Sequence, residues 1–413
     1  MKDDKPSVPD PFQTALADWQ AGRIAEALAA LNAAARSGDT ACASLLLQLS
    51  ADAAAPDGAR AEAVASLAAA PDEASFRRHR AYLLASGYGQ DADPAAAIDQ
   101  RLVEARAGDP QAMTEIGLLA ALAGDDISAR TWLEAASRAG SGHAIAALLR
   151  LGIEDGAIHP VARRAMPGLA RSGHPLAQPL IQSARRLPDA QIKAEPGHAD
   201  EAGPQGLLTA IIAAPAPGEC LSETPRVERW RSALPAVLCD YLSAGAAPLL
   251  QPAQIFDPAT RETRPDPYRQ SLTAALPEGA MDLVLWAIKR RMAALSGAQC
   301  DQGEALAVLV YRPGDHYRPH FDYLTEDGAG ASADLDRRGQ RISTTLIRLN
   351  EEFEGGDTVF PRLDLRWTGW RGDALSFDNV TPDDQGDPRT LHAGESVSSG
   401  MKILASLWLR ERT

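Results

Sequence analysis

The stretch 311–324, YRPGDHYRPHFDYL, places two histidines, two aspartates, four aromatic residues and two prolines in fourteen positions. The chain as a whole is sparing with such residues, since its 413 residues include 8 histidines and 5% aromatics. Within the stretch, His320 and Asp322 stand two positions apart. On an extended chain that spacing sends both side chains to one face, where an imidazole and a carboxylate can take neighbouring corners of one metal ion. A third ligand must come from elsewhere. Besides His316, inside the same stretch, the strand-rich half of the chain offers His392, in LHAGESVSSGMK ahead of a last apolar run. Two histidines and a carboxylate on one side of an ion leave positions open, which suits Fe(II) with a chelating cosubstrate and dioxygen. A zinc site without redox chemistry is the competing reading.

Around this stretch the text is that of a helix-plus-sheet domain. WRSALPAVLCDYLSAGAAPLL (230–250) and AMDLVLWAIKRRMAALSG (280–297) predict amphipathic helices. ALAVLVY (305–311), RISTTLIRL (341–349), DALSF (373–377) and KILASLWLR (402–410) predict strands separated by turn-rich stretches. Helices followed by a run of strands indicate an α+β domain with a sandwich or barrel as its strand unit. Along the last strand, Lys402, Leu404, Ser406 and Trp408 share a face. A lysine on a buried face needs an anionic partner, whereas one on an edge strand simply faces water.

The first half reads differently. Residues 12–186 are rich in alanine and leucine and poor in β-branched residues. Four similar phrases, ARSGDTACA, ARAGDPQAM, SRAGSGHAI and ARSGHPLAQ, each put a glycine where a helix would stop. Aligned on Gly38, Gly108, Gly140 and Gly173, the steps are 70, 32 and 33 residues, and the long step has room for one degenerate unit around LAAAPDEAS. Four positions past each glycine stands a small residue (Cys42, Ala112, Ala144, Ala177), and eight past it an aliphatic one (Leu46, Ile116, Leu148, Ile181). Those offsets share one helical face. Gly22 and Gly124 each precede the next aligned glycine by sixteen residues, a helix-turn-helix spacing. A period of this length resembles tetratricopeptide-like repeats of the Sel type, stacked as a short solenoid; an irregular alanine-rich bundle is the alternative. His143, His159 and His174 in this half read as surface or turn residues.

From residue 187 to 225 proline, glycine and charge replace helical periodicity, predicting a linker with one short helix near Leu207–Ala213. The expected organisation is therefore 12–186 helical repeats, 187–225 linker and 226–413 a catalytic domain. Four cysteines, far apart and without CxxC spacing, argue against a disulfide framework or zinc knuckle. No apolar stretch is long enough to span a bilayer, so no membrane association and a cytoplasmic location are expected. A net charge of -14 argues against a general nucleic-acid partner.

Beyond these readings, the ordered motifs carry a resemblance. Tyr311, Gly314, Tyr317, His320 and Asp322, then Arg341, Thr344 and Leu346 leading to Leu349 and Asn350, then GGDTVFP (355–361), GDALSFDN (372–379), and His392 with Gly400, Lys402 and Trp408, resemble the prolyl 4-hydroxylase branch of the Fe(II)/2-oxoglutarate dioxygenases. The resemblance covers about 180 residues from Trp230 to Arg412, including the ten-residue step from His392 to Lys402. It implies a double-stranded β-helix, or jelly roll, following the all-α solenoid. It implies further that His320, Asp322 and His392 hold iron, that Lys402 pairs with the distal carboxylate of 2-oxoglutarate, that Tyr311 touches that cosubstrate, that Tyr317 lies near the substrate entrance, and that L-ascorbate serves as a reductant. Two departures stand out: the family often has tyrosine at Arg348 and proline at Ser396. Arg348 could reach a substrate carboxylate, reshape the cosubstrate pocket, or face water.

The function implied is hydroxylation of a peptide or protein side chain, a prolyl ring among the options, with succinate and carbon dioxide as co-products and the repeats docking the polypeptide. Alternatives are a repeat-based scaffold with a vestigial oxygenase half, a cupin-like metal enzyme independent of 2-oxoglutarate, and a nucleic-acid demethylase, the last weakened by the acidity of the chain. The segment 323–340, with glycines and acidic residues, is expected to be a loop beside the iron that can act as a lid.

Overall fold

The computed structural model describes residues 10–190, 204–257, 262–265, 268–325 and 331–412. The chain divides into two compact units, Met1–Ala112 with Pro277–Trp286, and Met113–Leu276 with Ala287–Thr413. Among the described residues, no helix is long and apolar enough to cross a membrane.

In the first unit the helices Pro11–Gln20, Ile24–Arg36, Thr40–Ser50, Ala59–Ala69, Ala74–Ser86 and Pro94–Arg106 follow one another. The turn between the second and third depends on Gly38, whose φ of 100° only glycine adopts readily. Asp39 then accepts a hydrogen bond from the Cys42 amide at 2.9 Å and caps the new helix. Cys42 and Leu46 are fully buried, as their shared face predicts. The helices Ala59–Ala69 and Ala74–Ser86 fill the long step between aligned glycines. The segment Pro277–Trp286 packs among these helices, with Gly279 against the Ser44 backbone and its carbonyl 2.9 Å from His79 Nε2. A side chain at Gly279 would collide with the Ser44 carbonyl at 2.3 Å.

The second unit contains the helices Asp126–Arg138, Gly142–Glu154, Pro160–Arg171 and Ala177–Ala184 together with all the strands. Helix Gly142–Glu154 packs on helix Ala236–Ala246 through Arg150, whose Nε and Nη2 reach Asp240 at 2.7 and 3.3 Å. His143 and His174 are not isolated: His174 Nε2 lies 3.1 Å from His143 Nδ1, and the His143 ring packs on Tyr241 at 5.0 Å. His159 caps helix Pro160–Arg171 and pairs with Glu134 at 3.2 Å.

Part of the stretch expected as a linker, 191–203, lies outside the described residues. The remainder contains helix Pro204–Ile212 and strand Glu219–Glu223, which pairs with Arg226–Trp230 at the edge of the main sheet. That sheet has eight antiparallel strands. Their order is Glu219–Glu223, Arg226–Trp230, Ala374–Asp378, Arg341–Arg348, Lys402–Arg410, Ala307–Tyr311, Leu272–Ala275 and Gln251–Pro252. A four-stranded sheet runs Leu365–Trp367, Thr358–Phe360, His392–Gly394 and Tyr317–His320.

Register decides what lines the space inside. Lys402 is paired with Tyr311, Leu404 with both Leu309 and Arg348, and Trp408 with Thr344. Because paired residues share a face, these side chains point the same way. The buried cluster on that face joins Val227, Leu309, Tyr311, Leu346, Leu375, Phe377 and Leu404 of the main sheet to Phe360 and Trp367 of the smaller one. Two antiparallel sheets closed on one core make a jelly roll. On the opposite face Ile347, Ala405 and Leu407 are fully buried, with Cys239 of helix Ala236–Ala246 4.0 Å from the Arg348 carbonyl. Of the segment 323–340, residues 326–330 lie outside the described residues, and Ala331–Arg338 is a helix rather than a loop. Its Arg338 turns to the carbonyls of Asp301 and Gln302.

Asp240 is 6% exposed, and burial pushes its carboxyl up against the pull of Arg150. Truncating its partner strands a buried charge, so Arg150→Ala should destabilise the second unit by about 3 kcal/mol. Urea unfolding followed by circular dichroism measures this, and a loss under about 0.5 kcal/mol would mean that the pair is a mere surface contact.

Candidate metal centre

His320 ends its strand, and His392 opens the neighbouring one as its register partner. Asp322 follows two residues after His320. The ligating atoms of the three all lie within 4.8 Å of one another. His320 Nε2 is 3.6 Å from Asp322 Oδ1, and His392 Nε2 is 3.7 Å from Asp322 Oδ2. Both distances exceed a hydrogen bond. Polar atoms therefore face each other across a gap.

One local device aims both imidazoles. His320 Nδ1 meets the carbonyl of Arg318 at 2.9 Å, and His392 Nδ1 meets that of Thr390 at 3.0 Å, in each case two residues back. A carbonyl only accepts, so Nδ1 carries the hydrogen and the Nε2 lone pair is left facing Asp322. The carboxylate is oriented in turn. The Thr344 hydroxyl donates to Asp322 Oδ2 at 2.7 Å, and Asn379 Nδ2 donates to that hydroxyl at 2.9 Å.

Electrostatics prepares the same donors. Burial pushes His392 down to about 4, against the attraction of Asp322, so its ring is neutral at ordinary pH. Burial pushes the Asp322 carboxyl up, but the two imidazoles outweigh this and hold it below the usual carboxylate range. Neutral imidazole nitrogens and an ionised carboxylate are the forms that bind a metal ion. The walls are aromatic, with Phe377 and Phe360 centred 4.9 and 5.4 Å from the His392 ring, and Tyr317 stacked on His320 at 3.5 Å. This donor set fits one first-row ion with positions to spare.

Lys402 stands on the inner face of the main sheet, 5% exposed. Its ammonium donates to the Gly356 carbonyl at 2.6 Å and lies 5.5 Å from the centre of the Tyr311 ring. Burial, and then Arg348 nearby, push it down to about 8. Gly356 has φ of 71°, and a Cβ there would stand 3.0 Å from Val397 Cγ2 and 3.2 Å from Lys402 Cδ, so the second glycine of GGDTVFP clears room for the lysine. Tyr311 is itself buried, which pushes its phenol up.

Arg348 does not face water. It is 5% exposed, its Nε donates to the Asn350 carbonyl at 2.9 Å, and its Nη1 donates to the carbonyls of Thr368 and Gly369. His316 is a loop residue, with Nδ1 turned to the Gly314 carbonyl. Two contributors escaped the sequence reading. One is the Thr344–Asn379 relay. The other is Arg269, which bridges to Tyr317 and lies 5.5 Å over its ring. Thr344 and Asn379 stand in the sequence only as members of the ordered motifs, with nothing local to tie them to Asp322, and Arg269 sits in a polar stretch without periodicity.

A jelly roll with a His-x-Asp and distant His set beside a buried lysine defines a class, the Fe(II)- and 2-oxoglutarate-dependent oxygenases. The model of the 2OG-Fe(II) oxygenase superfamily matches residues 306–410. The chain is 33% identical over 208 residues to "Prolyl 4-hydroxylase 1" of Arabidopsis thaliana, covering 47% of this chain and 72% of that protein. It is 33% identical over 202 residues to "Prolyl 4-hydroxylase subunit alpha-1" of Rattus norvegicus, covering 49% of this chain and 38% of that protein. Among solved structures, that of the viral collagen prolyl hydroxylase from Paramecium Bursaria Chlorella virus-1 in its 2OG complex is similar at 25% identity and a TM-score of 0.35, covering 45% of this chain and 95% of that one. The protein belongs to the prolyl 4-hydroxylase family of 2-oxoglutarate-Fe(II) oxygenases, and is a dioxygenase.

Removing the orienting hydroxyl leaves the ligands in place but untethers one. Thr344→Val should therefore weaken metal binding by about 10- to 100-fold, read by titrating the stripped protein with Co(II). An affinity equal to wild type would show that the relay is ornamental.

For Lys402 the sign is that of a lowered base. The cost of burying its charge is complete below a pH of about 8 and is relieved as pH climbs toward the ordinary lysine value. Without ligand, Lys402→Met should stabilise the protein at pH 7 by roughly 2 kcal/mol, a gain that shrinks by pH 9.5. Chemical denaturation at the two pH values tests this, and a destabilised variant at pH 7 would contradict it.

Proposed function

We propose that the protein hydroxylates a side chain of a peptide or protein, with a prolyl ring the leading candidate, and consumes 2-oxoglutarate. The observation that carries this reading is the convergence of His320, Asp322 and His392 beside a buried Lys402 that has no carboxylate partner among the described residues. His320, Asp322 and His392 would hold Fe(II). Bound iron with 2-oxoglutarate supplies an oxidation in which one dioxygen atom enters the substrate as hydroxyl and the other enters succinate, with loss of carbon dioxide. Lys402 would bind the distal carboxylate of 2-oxoglutarate, which supplies the anion its ammonium lacks, and the Tyr311 phenol would border the same pocket. Tyr317, stacked on His320, would fix that imidazole and face the substrate entrance. The aromatic walls of Phe360 and Phe377 exclude water from the centre, which protects the oxidant from unproductive discharge.

The finer organisation is also part of the proposal. Residues 12–186 would dock the polypeptide, residues 187–225 would connect, and residues 226–413 would carry the chemistry. L-ascorbate would restore iron that oxidises without turnover. None of Cys42, Cys220, Cys239 and Cys300 is in a disulfide, which favours action in the reducing cytoplasm.

The test is anaerobic mixing of the purified protein with Fe(II) and 2-oxoglutarate, followed by oxygen. A visible charge-transfer band and slow succinate release without peptide are expected, with both lost in Asp322→Ala and His392→Ala. A wild type that shows neither would leave the repeat-based scaffold as the better description.

A further inference from the structure

Arg348 is the cation this chain places where the resembling family often has a neutral tyrosine. It shares the inner face of the main sheet with Lys402, being paired with Leu404, two residues along the neighbouring strand. The two side chains converge on common neighbours. The Arg348 guanidinium lies 4.1 Å over the Phe353 ring. A Cβ built on Gly356 would stand 3.6 Å from Phe353 Cε2 and 3.2 Å from Lys402 Cδ. The Arg348 charge helps to push the Lys402 ammonium down, a further sign of closeness.

Neither cation is neutralised by the fold. Among the described residues, no carboxylate lies within ion-pair distance of Lys402 or Arg348. The acidic groups that bear on them are committed elsewhere. Asp357 reaches Arg366 at 2.7 Å, and Glu352 reaches Arg371 at 3.0 Å. Asp373 accepts from the amides of Ser232 and Trp370, both at 2.9 Å. Glu351 accepts from the Arg371 amide. Arg348 spends Nε and Nη1 on backbone carbonyls, and among the described residues no hydrogen bond uses Nη2. Two buried cations on one face, left without a counter-charge, are costly unless a ligand supplies it.

We propose that Arg348 is a binding residue for the 2-oxo acid cosubstrate, acting with Lys402 as a two-cation clasp that selects a second, distal carboxylate. The inference rests on the 2-oxoglutarate reading above and adds a determinant to it. The carbonyl bonds of Nε and Nη1 hold the guanidinium rigid, so Nη2 is presented without loss of side-chain freedom. A charge-assisted bond of this kind should be worth about tenfold or more in affinity for the diacid.

The experiment compares two ligands that differ only at the far end, 2-oxoglutarate and 2-oxopentanoate, by calorimetry on the Ni(II)-loaded protein, where no turnover occurs. Arg348→Gln keeps donors for the carbonyls and removes the charge. It should lower the preference for the diacid by about tenfold or more while the affinity for 2-oxopentanoate stays within about threefold. A purely structural Arg348 would lower the melting temperature or weaken both ligands equally, leaving the preference intact, and that result overturns the proposal. If Arg348→Gln does not fold, Lys402→Met decides: a residual preference of about tenfold for the diacid supports a second cation, and no residual preference refutes it. A wild type that binds neither acid would remove the cosubstrate reading itself, and the clasp with it.

Discussion

The antiparallel pairing of His320 with His392 is the constraint on which the rest of the site depends. It brings together two residues more than seventy positions apart and puts both imidazoles on the inner face of the smaller sheet. A slip of one residue would turn either ring to the outside. The slip is opposed by packing of the smaller sheet, where Phe360, on the strand paired with that of His392, is fully buried. Core packing and ligand geometry are therefore one specification. Asp322 needs no separate device to join, because the turn after His320 delivers it and Thr344 fixes it.

Charge is handled in two ways within the oxygenase unit. Buried Asp240 is matched by half-buried Arg150, and half-buried Glu304 by Arg341 and the buried Arg410. Such pairs hold elements in one arrangement and invite no ligand. Among the described residues Lys402 and Arg348 are buried without a carboxylate partner, and Asp322 is buried between the imidazoles of His320 and His392. These groups lower the stability of the empty protein. On the proposed reading an anion and a cation would compensate them, which is why they mark the site while the matched pairs do not.

Much of this was legible in the sequence, for local reasons. The strands Ala307–Tyr311, Arg341–Arg348, Ala374–Asp378 and Lys402–Arg410 announce themselves by apolar runs or alternation, and His320 and Asp322 by a two-residue spacing that an extended chain must place on one face. The glycines at 38, 108, 140 and 173 all adopt positive φ, as helix stops of that spacing require. What stayed hidden was non-local or too short to have a period. Strand Glu219–Glu223 lies in a proline-rich stretch and owes its existence to its neighbour rather than to its own residues. The packing of Pro277–Trp286 among the first helices, the meeting of His143 with His174, and the arrival of Arg269 over Tyr317 are tertiary facts without a sequence pattern. Helix Ala331–Arg338 was obscured by glycines and charge on its N-terminal side. Arg348 was visible as a departure, but its burial depends on three carbonyls from two separate turns.

The central claim is that His320, Asp322 and His392 share one iron ion. X-ray absorption at the iron edge on the Fe(II)-loaded, oxygen-free protein tests it most directly. The account predicts two imidazole nitrogens and carboxylate oxygen at about 2.0 to 2.2 Å, with one imidazole lost in His392→Ala. Iron bound through sulfur, or a spectrum unchanged by that substitution, would contradict it.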